Sequence, residues 1–267
     1  MFLTVALSLH TVSLVTRTVV ARSHYMQQAL QLREQGQLAA SAEAERSAHD
    51  YVPWGNWFEC FSFFGAITAL IYFVIAWWMP IPILGAFIMP VSWGLLTLAF
   101  GSDKALRPLP PSFHSHWMAI HVPFVFVSYA LLGVAFAVGI AYLIEERQMK
   151  SKHPTELTYR LPALEELDKL IYELIGAALP LLTFGIVSGG VWAYSAWGRF
   201  WGWDPKENWT LFTWFVYVVY LLLRSFGGWR GRKTAYFSLA GFAFVIFTYV
   251  GVNYLSPLHG FLSKAGR

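Results

Sequence analysis

Long apolar stretches alternate with short polar links along this chain. A helix that crosses a bilayer needs roughly 17 to 25 predominantly apolar residues, and the pattern meets this requirement about seven times. The fourth stretch is long enough to tilt or to protrude from the membrane. The predicted membrane helices lie at about 1–20, 58–78, 82–100, 115–144, 171–191, 208–224 and 233–252.

Two longer polar links separate these stretches. Residues 22–50 are rich in Gln, Ala, Glu and Ser, which predicts a surface helix or a mobile loop. Residues 145–169 carry charges of both signs, which predicts a solvated connector. We therefore expect an all-α, polytopic integral membrane bundle with two parts. Residues 1–57 would hold the first membrane helix and an outer polar segment, and residues 58–267 the main membrane domain.

Composition supports a membrane protein and excludes several other classes. Of the 267 residues, 57% are hydrophobic and only 13% are charged, unlike a soluble domain. The net charge of +4 comes without a clustered basic face, so no nucleic-acid partner is expected. Cys60 is the single cysteine and is predicted to be a packing residue. The first stretch lacks a basic start and a small-residue cleavage site, which predicts no cleavable signal peptide.

The basic residues predict an orientation. Links on the cytoplasmic side of a membrane protein carry an excess of Lys and Arg. The links between the fourth and fifth and between the sixth and seventh predicted helices are rich in both, and they fall on one side. The tryptophan-rich segment and the carboxyl terminus would then face outward. The basic residues are Arg147, Lys150, Lys152, Arg160, Lys169, Arg224, Arg230, Arg232 and Lys233.

The segment 192–209 is the most unusual part of the chain. Its glycines, proline and charges make it unsuited to cross a bilayer as a plain helix, and its aromatic content is too high for an ordinary loop. One interpretation is an interfacial aromatic belt. The other is a binding surface for a flat apolar ligand with charged edges, such as haem. The segment contains Trp192, Trp197, Trp201, Trp203 and Trp209, with Arg199, Asp204, Lys206 and Glu207.

The order of residues in this segment favours the second interpretation. The run Trp-Gly-x-x-Trp-x-Trp-Asp-Pro-Lys-Glu-x-Trp, at 197–209, resembles the WWD signature of haem-handling proteins of cytochrome c maturation. Its Asp-Pro-Lys-Glu-x-Trp ending is similar to the CcsA (ResC) family in particular. The run Pro-x-x-Asn-x-x-Glu at 53–59 also resembles this family, and the resemblance continues from about Asn56 onward. It implies a CcsA-type cytochrome c assembly domain at 58–267.

The resemblance implies two outer histidines that ligate the iron of haem b. The run Trp-x-x-x-His-Val at 117–122 assigns the first role to His121, and the pair Leu258-His259 assigns the second to His259. Both residues fall on the same predicted side as the tryptophans. His116 competes for the first role, and His114 is predicted to be a surface residue.

The other cofactor-binding residues are also implied by the resemblance. The five tryptophans would contact the porphyrin, and Arg199 or Lys206 would pair with a propionate. Asp204 would orient a neighbouring group or cap the following helix, which Pro205 would start. The competing interpretation of these charges, and of Glu207, is solvation at the interface.

One family feature is absent. The family's Tyr-Leu-His-x-Arg run is here Tyr-Leu-Leu-Leu-Arg at 220–224, so Leu222 stands where the family has a histidine. Because leucine cannot ligate iron, a single, outer haem site is predicted. His10 is the alternative ligand within the membrane, or else a polar residue that packs between helices.

The implied function is that of a haem-handling subunit, part of a membrane cytochrome c synthase complex. It would present haem to apocytochrome c outside a bacterial cytoplasmic or thylakoid-type membrane, on the periplasmic or lumenal side. A separate CcsB (ResB)-type membrane protein is the expected partner, and membrane lipid surrounds the bundle. Two alternatives remain: a haem-delivery carrier of the sister pathway that does no ligation, and a non-haem assembly or regulatory protein.

Overall fold

A computed structural model describes residues 2–79, 81–106, 111–152 and 155–255. Their regular secondary structure is entirely helical, which confirms the predicted class. Short 3-10 turns occupy Pro82–Leu84, Pro111–Phe113 and Gly251–Tyr254. The α-helices of the described residues are α1 (Phe2–Glu34), α2 (Leu38–His49), α3 (Trp57–Trp78), α4 (Gly85–Phe100), α5 (His116–Ser151), α6 (Glu156–Arg160), α7 (Leu164–Trp197), α8 (Pro205–Ser225) and α9 (Arg232–Tyr249).

Each predicted membrane helix corresponds to one helix of the structure. Among the described residues, four segments are long and apolar enough to cross a membrane: Trp57–Trp78, Pro82–Phe100, His116–Ser151 and Leu164–Trp197. They support an integral membrane protein. The other predicted spans correspond to α1, α8 and α9, and the total of seven spans stays a prediction.

Successive long helices run in alternating directions, so their links gather at two ends of the bundle. The segments 50–56, 101–106, 111–115, 198–204 and 250–255 share one end, here called the tryptophan end. Contacts across that end connect them, since the indole Nε1 of Trp192 donates to Ser112 O at 2.8 Å and His114 Nδ1 lies 3.2 Å from Asp50 Oδ2. The described residues of the links 79–84 and 152–163, together with the segment 226–231, lie at the opposite end.

Helix α5 is the centre of the bundle. Small residues on α5 are fully buried, and they let α7 and α9 approach its backbone closely. The hydroxyl of Ser128 donates to Ala178 O on α7 at 2.9 Å, which satisfies a polar group inside the apolar core. The buried small residues of α5 include Ala130, Ala135, Ala137 and Ala141.

The polar region 22–50 is a helical hairpin, as one of the two predicted forms allowed. Helix α1 continues to Glu34, and α2 returns along it, with Ser41 Oγ donating to Ala29 O at 2.9 Å. Tyr25 and Tyr51 lie in a small buried cluster of their own at this hairpin. The proposed boundary between residues 57 and 58 stays a prediction.

Glu59 joins this hairpin to the main bundle. Its fully buried carboxylate accepts hydrogen bonds from Arg17 Nε at 2.7 Å, from Gly55 N at 2.9 Å and from the Tyr51 hydroxyl. Burial and the hydrogen bond to Glu59 raise the pKa of the Tyr51 hydroxyl, which therefore stays a donor. The side chain of Asn56 caps α3 by accepting from Glu59 N at 2.9 Å.

The link 145–169 is less solvated than its composition predicted, because Glu145 and Asp168 are both buried. Asp168 Oδ2 accepts from Arg224 Nη1 at 2.6 Å, and its Oδ1 accepts from Gly231 N at 2.7 Å. One carboxylate thus holds α7, α8 and the start of α9 together at the opposite end. The sequence did not reveal it because the partners lie far apart in the chain.

We expect the change Asp168→Ala to lower the free energy of unfolding by about 3 kcal/mol, because it leaves the half-buried Arg224 guanidinium without its carboxylate. Lys169→Ala is the matched control. Its ammonium lies 3.6 Å from Glu173 in an exposed pair, so its loss should change stability by less than about 1 kcal/mol. Unfolding in detergent micelles measures both, and equal effects would contradict the assigned role of Asp168.

Candidate functional site

The tryptophan-rich segment is a helix end, a short turn and a helix start. Helix α7 ends at Trp197, and Gly198 takes the left-handed conformation with φ 72° that commonly terminates helices. Helix α8 starts at Pro205, where a missing backbone N–H does no harm. The irregular part is therefore limited to residues 198–204.

Two carboxylates stabilise this turn by accepting hydrogen bonds from its backbone. Glu207 Oε2 accepts from Gly202 N at 2.7 Å and from Asp204 N at 3.1 Å, while Asp204 Oδ2 accepts from Lys206 N at 3.0 Å. Asp204 and Glu207 form a capping box at the start of α8. The predicted capping role of Asp204 has the expected geometry, and Glu207 is a structural residue of the turn as well.

Trp203 has a strained backbone, with φ 58° in a region that non-glycine residues rarely adopt. Asn208 Nδ2 donates to Trp203 O at 3.0 Å and helps to hold this conformation. The consequence is that the indole points away from the bundle, and 72% of Trp203 is exposed. Its neighbour Trp201 faces the opposite way.

A cavity of about 140 Å³ lies beneath the turn, between α5, α7, α8 and α9. Its walls are largely aromatic, and it contains both polar and apolar groups. Of the predicted site residues, the structure brings together His121, Trp192, Trp201, Lys206 and Glu207 in these walls. Trp54, Cys60, Tyr129, Thr210 and Tyr249 also line the cavity.

His121 is held in one tautomer. Its Nδ1 lies 2.7 Å from Gly185 O, and because a carbonyl can only accept, Nδ1 carries the proton. The lone pair is then on Nε2, the arrangement of a histidine whose second nitrogen ligates a metal. The imidazole lies nearly parallel to the buried Trp192 ring, with an interplanar angle of 12° and centroids 6.1 Å apart.

The absence of a side chain at Gly189 makes room for this imidazole. A Cβ added there would lie 2.7 Å from His121 Cε1 and 2.8 Å from Nδ1, closer than atoms tolerate. Helix α7 therefore supplies both the carbonyl that orients the ring and the surface on which it lies.

The other predicted residues that the structure describes lie outside the cavity walls. Trp197 packs against Trp192 at 4.9 Å between centroids, and Trp209 packs against Phe247 of α9 at 4.6 Å. His116, at the start of α5, and Arg199, in the turn, are both exposed. His259 lies outside the described residues.

The structure thus separates the tryptophans into two groups. Trp192 and Trp201 line the cavity, whereas Trp203 lies on the surface, where an interfacial ring would be expected. The cavity offers aromatic faces, one imidazole with its lone pair on Nε2, and the ammonium of Lys206. Such a set suits a flat, apolar ligand that carries an anionic edge and a metal.

Trp54 is one of several wall residues that the sequence interpretation missed. It lies within the run at 53–59 that resembles the family, so its position carried a signal. That run preceded a membrane helix and had no chemistry assigned to it, and only the packing of the link 50–56 against α3 places Trp54 beside the cavity.

Fold and cavity together define a polytopic helical membrane protein with an aromatic, histidine-containing cavity at one end of its bundle. Residues 54–259 match the family described as "Cytochrome C assembly protein", and this match covers most of the chain. The chain belongs to the CcsA family of cytochrome c assembly proteins.

Individual relatives agree with this placement. The "Cytochrome c biogenesis protein CcsA" of Guillardia theta is 36% identical over 234 residues, covering 79% of this chain and 77% of the relative. The protein of the same name from Microcystis aeruginosa is 32% identical over 260 residues, covering 79% of each. That of Chlamydomonas reinhardtii is 37% identical over 227 residues, covering 81% of this chain and 62% of the relative.

We expect Gly189→Ala to destabilise the protein, because the new methyl group collides with the His121 ring. The penalty should shrink by roughly 0.5–3 kcal/mol in a His121→Ala background, where the ring is absent. Gly176→Ala on the same helix is the control, because nothing lies within 4 Å of the added Cβ. It should be neutral or stabilising by up to about 1 kcal/mol. If Gly189→Ala lowers the free energy of unfolding equally with and without the His121 ring, the contact between residues 189 and 121 is contradicted.

Proposed function

We propose that this protein binds haem b in the cavity at the tryptophan end and presents it to apocytochrome c. The observation that carries the proposal is His121, whose Nδ1–H donates to Gly185 O and whose ring lies in an aromatic cavity. In a family of cytochrome c assembly proteins, such a residue is best explained as an axial ligand to haem iron.

The tryptophans then have different tasks. Trp192 is 3% exposed, and its indole N–H is anchored to Ser112 O, so its position is fixed before any ligand binds. Trp201 supplies a second aromatic wall from the turn. We propose that these two side chains contact the porphyrin, and that Trp197 supports Trp192 by packing against it. Trp203 is better placed to contact lipid or a partner protein.

We assign the second axial position to His259. Helix α9 leads to the cavity, since Thr248 and Tyr249 at its end line the wall. His259 lies four residues beyond Leu255, where the described part of the chain ends. His116 is exposed at the start of α5, and the cavity wall favours His121 over it.

The protein's contribution would be to hold the cofactor and to exclude water. Haem supplies the vinyl groups and the apocytochrome supplies the thiols. Each S–H would add across a vinyl C=C, forming an S–C bond and giving its proton to the terminal carbon. The chain itself therefore needs no nucleophile. This assignment makes it the haem-binding subunit of a synthase complex, with a CcsB-type membrane protein as partner.

We further propose that the tryptophan end faces the periplasm or the lumen. Arg147, Lys150, Lys152, Arg160 and Lys169 lie at or near the opposite end of the bundle, as do the basic residues after α8. The positive-inside tendency favours the opposite end as the cytoplasmic one. The apocytochrome would then meet the haem outside the cytoplasm.

Two other functions have different signatures. A carrier of the sister pathway would bind haem without supporting ligation, and an assembly protein without cofactor would purify free of haem. The cavity, with its oriented imidazole, favours haem binding over the second of these.

We expect the purified protein to carry haem b with two histidine ligands. His121→Ala or His259→Ala should open one axial position and change the absorption spectrum or release the haem, and added imidazole should restore the spectrum. His116→Ala is the control and should leave it unchanged. Unaltered spectra in both ligand variants would contradict the assignment, and a change confined to the His116 variant would move the ligand there.

Leu222 bears on a second haem site within the membrane. It is 50% exposed on α8, whereas Tyr220 and Arg224 turn toward the interior. His10 Nε2 lies 3.0 Å from Ser62 O, a contact that holds α1 against α3, and neither residue lines the cavity. Neither Leu222 nor His10 supports a second site, so we propose a single one.

We expect one haem per polypeptide in the wild type and none in the double variant His121→Ala, His259→Ala. Haem and protein quantified on the same samples give this ratio. Tightly held haem that survives in the double variant and disappears after His10→Ala would contradict the single site and would give His10 a ligating role.

A further inference from the structure

Trp54 carries a buried donor without an acceptor. The residue is 8% exposed and lines the cavity, and within the described part of the chain its indole Nε1 has no hydrogen-bond partner. The ring is held by Phe63, at 5.3 Å between centroids, so the indole is part of a packed wall. A buried polar group left unpaired is costly, and such groups in native proteins usually find a ligand or water.

Lys206 contributes a positive charge to the same cavity. It is the one cationic side chain among the described residues of the wall. Cys60 connects it to Trp54, since Cys60 Sγ donates to Trp54 O at 3.3 Å and the thiol also lies within electrostatic range of Lys206. Trp54, with its indole N–H, and Lys206, with its ammonium, thus line the same cavity.

The acidic residues nearby are engaged with the backbone. Glu207 accepts from Gly202 N and Asp204 N, and Asp204 accepts from Lys206 N, which commits an oxygen of each carboxylate to the turn. Asp204 also attracts the Lys206 side chain electrostatically. The Asp204 carboxylate does not provide the acceptor that the Trp54 indole N–H lacks.

We infer that Trp54 and Lys206 together bind one carboxylate group of the ligand in this cavity. One carboxylate oxygen would accept the Trp54 Nε1–H hydrogen bond, and the negative charge would pair with the Lys206 ammonium. A carboxylate has several acceptor sites on two oxygens, so it can serve both donors at once. Trp54 is then a positioning and specificity residue of the site.

This inference deepens the proposed function, because a haem carboxylate would be the bound group. It also decides between the two cations that the sequence offered for that role. Arg199 is exposed and lies outside the cavity wall, whereas Lys206 lines it. A fixed carboxylate would orient the porphyrin in its plane, which two axial histidines alone leave undetermined.

The experiment compares the affinity for haem with that for haem dimethyl ester, which has the same ring and iron and no carboxylates. Full-length apoprotein in detergent is titrated with each, and absorption measures binding. We expect the wild type to prefer haem by about tenfold or more, since a charge-assisted hydrogen bond contributes that much. Trp54→Phe, which keeps the ring without the N–H, and Lys206→Met should each reduce this preference severalfold.

Matched controls isolate the two groups. Trp93→Phe removes the N–H of a largely exposed tryptophan, and Lys104→Met removes an exposed cation at the tryptophan end, so both should keep the wild-type preference. Lys206→Arg should retain most of it. Circular dichroism and the elution volume in size-exclusion chromatography establish that each variant is folded.

The outcomes separate the inference from the function beneath it. A wild type that binds neither compound contradicts the proposed function itself. Binding of both with equal affinity leaves haem binding intact and overturns the carboxylate site. An unchanged preference in Trp54→Phe overturns the role of Trp54. A loss of preference in Arg199→Met, but not in Lys206→Met, transfers the charge to Arg199 and overturns the pair.

Discussion

The tryptophan end of this protein depends on the hydrogen bonds that the Glu207 carboxylate accepts from the backbone. A chain that leaves one membrane helix and enters the next exposes backbone N–H groups close to an apolar phase, where they must be satisfied internally. Glu207 accepts two of these amides, and Asp204 accepts a third. The turn so formed directs Trp201 into the cavity and Trp203 outward, so two neighbouring tryptophans acquire different surroundings.

The cavity is assembled from several helices, and each contributes by a specific contact. Helix α5 brings His121, and α7 orients it through Gly185 O and leaves space for it at Gly189. The link 50–56 adds Trp54, and it is held in place by the buried Glu59, which also binds Arg17 and Tyr51. The first helical hairpin is therefore coupled to the wall of the site, although none of its described side chains belongs to the wall.

The two ends of the bundle use carboxylates differently. At the opposite end, Asp168 joins three helices through Arg224 and Gly231, and we expect this contact to stabilise the folded bundle. At the tryptophan end, Asp204 and Glu207 shape a turn over a cavity that carries the charge of Lys206. A bundle held together at one end and containing a cavity at the other is consistent with the haem binding proposed above.

Hydrophobic periodicity by itself located each long helix, because bilayer thickness restricts the length of an apolar span. It did not locate every helix end, since α1 and α7 extend well beyond the predicted 1–20 and 171–191. Motif order predicted the family, which the comparisons confirm, since a long run of residue types in fixed order is specific. It also made His121 the leading candidate ligand. Tertiary structure decided which residues share a wall: it separated Trp201 from Trp203, placed Lys206 inside and Arg199 outside, and added Trp54. These distinctions depend on side-chain direction across helices that are distant in the chain, and composition and spacing do not encode that direction.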